Sequence, residues 1–129
     1  FVRLQRLDSH HADHYVVLVD AFPTFGIATL DPKRDTSFSY DLHDRGLWEP
    51  ETTNLLTYLL GAKKPSVFID IGANLGWFSM LAASKGAQVV AFEPLPEHCW
   101  RLNQSIALNG VQSQVTLVEN IVMARPKKN

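Results

Sequence analysis

Two short stretches carry residue types that can do chemistry. One is Asp70-Ile71-Gly72-Ala73-Asn74-Leu75-Gly76, and the other is Phe92-Glu93-Pro94. Each stands at the end of an apolar run rich in β-branched residues, Ser66 to Ile71 (SVFIDI) and Gln88 to Phe92 (QVVAF). In a parallel α/β sheet, ligands bind beyond the carboxyl ends of the strands, where strand order reverses. Gly72 removes a side chain where backbone must approach a ligand, and Gly76 lets the next helix start close to the strand. That helix directs free N–H groups and its positive dipole end into the same crevice.

The spacing speaks against a dinucleotide. A G-x-G-x-x-G fingerprint counted from Gly72 would need glycine where Asn74 and Trp77 stand. A P-loop fails as well, because no Gly-Lys-Ser/Thr follows. Glu93 lies about 23 positions after Asp70, near the offset at which nucleotide folds place a ribose-binding carboxylate. A carboxylate there accepts both vicinal hydroxyls and repels a 2′-phosphate. The crevice therefore suits an adenosine without phosphates. Asp70, at the base of the turn, is positioned to meet an ammonium group or to orient the loop.

The elements that must hold these residues read as follows. His14 to Val19 (HYVVLV) and Thr36 to Leu42 (TSFSYDL) are expected as strands, separated by a turn over Asp31-Pro32-Lys33-Arg34-Asp35. Glu49-Pro50-Glu51 opens a helix whose buried stripe is Leu55, Leu56, Leu59 and Leu60, with Gly61 ending it and Pro65 blocking continuation. From Ser66 the pattern alternates strand, helix, strand, helix, strand. The helices run from about Leu75 to Lys85 and from about Glu97 to Asn109, the second burying Cys99, Leu102 and Ile106. Val115 to Val118 is the third strand. Such alternation indicates a parallel sheet with right-handed crossovers and both helices on one face. The Leu55–Leu60 helix is expected to cover the opposite face. The fold class is thus α/β, a partial doubly wound sheet preceded by a short β region and one helix. The divisions fall at residues 1–46, 47–120 and a basic tail, 121–129.

Composition narrows the field further. The 129 residues are 46% hydrophobic and 19% charged with a net charge of -1, ordinary for a globular chain and without an electrostatic case for nucleic acid. No apolar run approaches the roughly 20 residues that cross a bilayer. The single cysteine, Cys99, allows no internal disulfide and reads as a small core residue. Its neighbour His98 points about 100° away on a helix, so the two do not form a nucleophile and base. His10, His11, Asp13 and His14 lack a second ligand group to complete a metal site, and no metal is expected. Lys127 and Lys128 read as a charged terminus. The chain begins at Phe1 rather than methionine, so a preceding targeting segment is compatible with it; the default location is the cytoplasm.

The run Val67 to Ser79 (VFIDIGANLGWFS), followed by Ala91-Phe92-Glu93-Pro94, resembles the S-adenosylmethionine-dependent methyltransferases, and within them is similar to the FkbM family. Gly46-Leu47-Trp48-Glu49-Pro50-Glu51, Asn103 through Asn109-Gly110, and Val115-Thr116-Leu117 agree with it, so the resemblance extends from about Thr36 to Val118. It implies that Asp70, Gly72, Ala73, Asn74 and Gly76 form the loop at the methionine end of the cofactor. It implies that Glu93, with Pro94, takes the ribose and that Glu49 closes over the cofactor. Trp48 has an equal claim as a hydrophobic staple before its helix. Where the family sets a residue against the adenine, this chain has Glu119-Asn120; beyond that it departs from the family pattern.

The implied activity is methyl transfer from S-adenosylmethionine to an acceptor oxygen on a small molecule or glycan, with no catalytic base identifiable. Two other readings stand beside it: a fragment that binds adenosyl groups without catalysis, and a module that pairs with another chain through an open sheet edge. Strand order third, second, first is expected, with Asp70 and Glu93 at carboxyl ends. An unpaired edge on Ser66–Ile71 would bring self-association, and these 129 residues alone are expected not to turn over.

Overall fold

The computed structural model describes residues 3–6, 15–19, 23–62 and 67–124. The candidate metal-ligand stretch at residues 10–14 and the basic residues 125–129 lie outside them. Two three-stranded sheets sandwich a layer of helices. The first is antiparallel, ordered β1 (Arg3–Arg6), β2 (Tyr15–Val19), β3 (Phe25–Thr29). Two helices follow, α1 (Phe38–Arg45) and α2 (Pro50–Ala62). The second sheet is parallel and built from β4 (Val67–Ile71), α3 (Trp77–Ser84), β5 (Gln88–Phe92), α4 (Pro96–Leu108) and β6 (Val115–Val118). Its order β4-β5-β6, with Asp70 paired to Ala91 and Phe92 to Val118, matches the expected third, second, first.

The core lies between the sheets. Val89 and Ala91 of β5 share one buried cluster with Leu81 and Ala82 of α3 and Leu102 of α4, and Val17, Phe25 and Ile27 join it from the antiparallel sheet. β3 is buried along its whole length because both α3 and α4 pack on it. Phe25 sits edge-on to Trp77, with ring centroids 5.3 Å apart. Asn109 at the end of α4 reaches back to β3, its side chain accepting the Gly26 N–H at 2.7 Å and donating to the Gly26 carbonyl at 2.7 Å. Gly26 must be small, since a Cβ there would overlap Leu108.

Three expectations are corrected. Thr36–Leu42 is not a strand but leads into α1. Asp35, two residues before the N-cap Ser37, ties down the first turn of that helix, its carboxylate accepting the Ser39 N–H at 2.8 Å and the Ser39 hydroxyl at 2.7 Å. Those hydrogen bonds outweigh partial burial and hold the Asp35 pKa below the ordinary carboxylate value. The apparent alternation of Phe38, Tyr40 and Leu42 was too short to separate the two periods; Phe38, Ser39 and Leu42 form one buried helical face. Next, α2 does not bury the stripe Leu55, Leu56, Leu59 and Leu60: Leu60 is buried, Leu56 half-buried, and Leu55 and Leu59 are exposed. The helix also runs past Gly61 to Ala62.

Finally, α2 does not cover the opposite face of the parallel sheet. It packs beside α3 on the same face, where the Trp77 indole N–H donates to the Thr53 hydroxyl at 2.8 Å. The reason is local: Thr53 also donates to the Trp48 carbonyl at 2.6 Å, so the start of α2 is tied to the start of α3. The opposite face stands open at β4, where Val67, Ile69 and Ile71 are 58%, 61% and 63% exposed. Among the described residues β4 has β5 on one side and no strand on the other. No helix of the described residues is long and apolar enough to cross a membrane.

Candidate functional site

The parallel register brings the ends of β4 and β5 level, because Ile71 pairs with Phe92. The turn after β4 is fastened to β5 by backbone: the Gly72 and Ala73 N–H groups both donate to the Phe92 carbonyl, at 2.9 and 3.0 Å. Three residues of the turn have positive φ, Gly72 at 80°, Asn74 at 53° and Gly76 at 93°. For glycine this conformation is free of strain, whereas for Asn74 it is sparsely populated and must be held by neighbours. The neighbour is Glu93, whose Oε2 accepts the Asn74 N–H at 2.8 Å.

The two glycines do different work. At Gly72 nothing lies within 4 Å of where a Cβ would stand, so the backbone there is open to approach. At Gly76 a Cβ would overlap Leu102, so glycine permits α4 to close against the start of α3. The expected benefit of Gly76 was proximity to the strand; the observed one is proximity to a neighbouring helix.

Both carboxylates are buried, Asp70 at 9% exposure and Glu93 at 4%. Asp70 faces α3 and accepts the Ser79 hydroxyl at 2.7 Å. Burial raises its pKa, hydrogen bonding from Ser79 opposes the rise, and the negative charge of Glu93 adds to it. Of the two roles open to Asp70, this geometry supplies the orienting one: it fixes the turn against α3. Glu93 uses its second oxygen, Oε1, to accept the Leu95 N–H at 3.0 Å. His98, in the first turn of α4, places Nδ1 3.5 Å from that same oxygen. Cys99 donates its thiol to the Glu93 carbonyl at 3.1 Å, and burial raises its pKa, with the charges of Glu119 and Glu93 adding to the rise. It behaves as the core residue expected.

Asp70, Gly72, Ala73, Asn74, Gly76 and Glu93 are therefore brought together at one end of the sheet. Pro94 follows in the exposed exit loop. Glu49 is exposed, with φ of 39°, at the head of α2; the Thr53–Trp77 link sets it at the same end, and no contact joins it to either carboxylate. Trp48 packs on Phe38 with ring centroids 4.9 Å apart, a packing role in keeping with a staple. The sequence reading missed three positioning residues: Ser79, Thr53 and His98. Ser79 and His98 carried a signal, since each lies in the first turn or so of a helix that starts beside a site carboxylate.

No family model matches the chain, and no curated protein matches it in sequence. Solved structures do match. A candidate caffeoyl-CoA O-methyltransferase of Staphylococcus aureus superposes with a TM-score of 0.55 at 20% identity, over 69% of this chain and 46% of its own. A SAM-dependent methyltransferase of Agrobacterium tumefaciens superposes with a TM-score of 0.56 at 10% identity, over 88% of this chain and 34% of its own. The chain thus spans less than half the length of either. At these identities the likeness concerns the fold: the chain carries part of a Rossmann-like α/β fold of the kind these methyltransferases have.

Proposed function

We propose that this chain forms the S-adenosylmethionine-binding part of a methyltransferase of FkbM type, acting on a hydroxyl of a small-molecule or glycan acceptor in the cytoplasm. The observation that carries the reading is the meeting of the glycine turn with Glu93 at one sheet end, joined by the Asn74 N–H. The residues fit the cofactor. Nothing lies within 4 Å of where a Cβ on Gly72 would stand, so the turn is open to approach there, and Glu93 is a buried acceptor joined to the same turn through the Asn74 N–H. The likeness to methyltransferase structures in fold supports the same reading.

In this reading Glu93 binds the ribose hydroxyls, and the turn from Asp70 to Gly76 borders the methionine end. Asp70 and Ser79 keep that turn fixed on α3. The cofactor supplies an already activated methyl group, so the protein's task is to align donor and acceptor and to exclude water. No described residue is assigned as a base for the acceptor.

Calorimetry with S-adenosylhomocysteine tests the reading. Glu93→Ala should weaken binding by the roughly 1.5–3 kcal/mol of hydrogen bonds to a charged group, about ten- to a hundred-fold. Equal affinity of variant and wild type would remove Glu93 from the site. A methyl-transfer assay over a panel of hydroxylated acceptors then separates an enzyme from a non-catalytic adenosyl-binding module.

A further inference from the structure

The surroundings of the Glu93 carboxylate bear on how a ribose could reach it. A carboxylate offers about four acceptor directions, two on each oxygen. Backbone takes one on each: Asn74 N–H on Oε2 at 2.8 Å and Leu95 N–H on Oε1 at 3.0 Å. A vicinal diol that donates to both oxygens needs the remaining direction on each. On Oε2 no other described group claims it. On Oε1 the His98 imidazole stands 3.5 Å away.

We propose that His98 competes with a ribose hydroxyl for Glu93 Oε1 and so sets the affinity of the site for its cofactor, an inference that rests on the cofactor reading above. Of the three groups around the carboxylate, His98 is the one that can yield. The Asn74 and Leu95 donors are backbone, and moving either would remodel the turn or the exit loop. The imidazole contact is longer than an ordinary hydrogen bond. Its side chain is 23% exposed, so it has a path to solvent without disturbing α4. The nearest ion pair on the same helix, Arg101 with Glu97 at 3.9 Å, is a separate contact.

The test is a ligand cycle by calorimetry on the full chain, with S-adenosylhomocysteine and its 2′-deoxy and 3′-deoxy analogues as probes. His98→Leu keeps bulk and removes the ring nitrogens. It should bind S-adenosylhomocysteine about two- to fivefold tighter, the scale of a partly exposed contact between charged or polar groups. The gain should shrink for one of the two deoxy analogues, the one that lacks the hydroxyl donating to Oε1. His98→Gln, able to donate toward Oε1 again, should return the affinity toward the wild-type value. Unchanged or weaker binding by His98→Leu overturns the proposal, and so does an equal gain for all three probes, which a merely structural effect would produce. Failure of wild type and His98→Leu alike to bind overturns the cofactor reading together with this one.

Discussion

The two faces of the parallel sheet are made from the same kinds of residue and have opposite fates. On the helix side, Val89 and Ala91 are buried under α3 and α4. On the other side, Val67, Ile69 and Ile71 of β4 are more than half exposed, although isoleucine and valine are among the residues most often buried. Strand pattern therefore records that both faces are apolar, and not what covers them. The helix side is also where the chemistry gathers: Asp70 and the first turns of α3 and α4 all point into it. The open side carries no titratable group on β4. Its chemistry is that of contact, and an apolar face beside an unpaired strand edge is a surface prone to pairing with another chain.

The largest expected difference between the faces appears on truncation. Trp77 is almost fully buried, donates to Thr53 and packs on Phe25. Trp77→Ala should cost about 3–5 kcal/mol, the range for deleting a large buried aromatic, and denaturant titration would measure it. Ile69→Lys on the open face should change the same titration by no more than about 0.5 kcal/mol. It should also lower self-association in sedimentation or light scattering. A large loss of stability from Ile69→Lys would mean that this face is covered in solution, and the contrast between the faces would collapse.

What the sequence made legible follows the same division. The β4–α3–β5–α4–β6 unit was readable because each strand and helix agrees with its own period and its own punctuation by glycine and proline. Register then follows from strand pairing, and it sets Asp70 and Glu93 at one end. The face chosen by α2 was not readable. Leu55, Leu56, Leu59 and Leu60 make an apolar helix, but the Thr53–Trp77 hydrogen bond, 24 residues apart, decides which side it lies on. β3 was missed for a related reason. Phe25-Gly26-Ile27-Ala28-Thr29 is short and contains glycine, a poor strand signal, and it is fixed by α4 through Asn109 from 83 residues away. Within the site, residue types at loop positions were legible, and their hydrogen-bond partners on neighbouring helices were not.

A smaller effect sharpens the comparison from the covered side. Burial raises the Asp70 pKa above its ordinary value, more than the Ser79 hydrogen bond lowers it. A carboxyl group with a raised pKa in the folded state favours folding most when protonated. Its contribution is fully present below the ordinary carboxylate range, near pH 4, and is lost as pH rises through the folded value. Asp70→Asn removes that loss and can keep the Ser79 contact. Its thermal midpoint at pH 7 should exceed that of wild type by a few degrees, roughly what 1 kcal/mol brings in a domain of this size. The advantage should shrink as pH falls toward 4. Cofactor affinity should fall at the same time, since a site residue is being exchanged for stability. A variant less stable than wild type at pH 7 would mean that the charge on Asp70 holds the turn more than burial opposes it.

The smallest expected effect lies in the antiparallel sheet, away from both faces, where His43 fastens α1 to β3. Its Nε2 is 2.9 Å from the Thr29 hydroxyl and its ring stands edge-on to Tyr15, with centroids 5.5 Å apart. Burial lowers the His43 pKa, and the negative charge of Asp31 only partly opposes this. As pH falls through about 6.5 the unfolded chain takes up this proton first. The stability that neutral His43 contributes is therefore present above that pH and drains away below it, toward the lower folded value. His43→Gln can still bond Thr29 and does not titrate. Near neutral pH the two proteins should differ by no more than about 0.5–1.5 kcal/mol, the net value of one neutral hydrogen bond. Between pH 7.5 and 5.5 wild type should lose more stability than the variant, so that the difference between their denaturation midpoints changes with pH. The carboxylates common to both proteins cancel in that difference, which leaves His43 as its source. A difference that stays constant over the range would mean that the imidazole meets its proton in the folded state as readily as in the unfolded one. The α1–β3 contact would then be indifferent to acid.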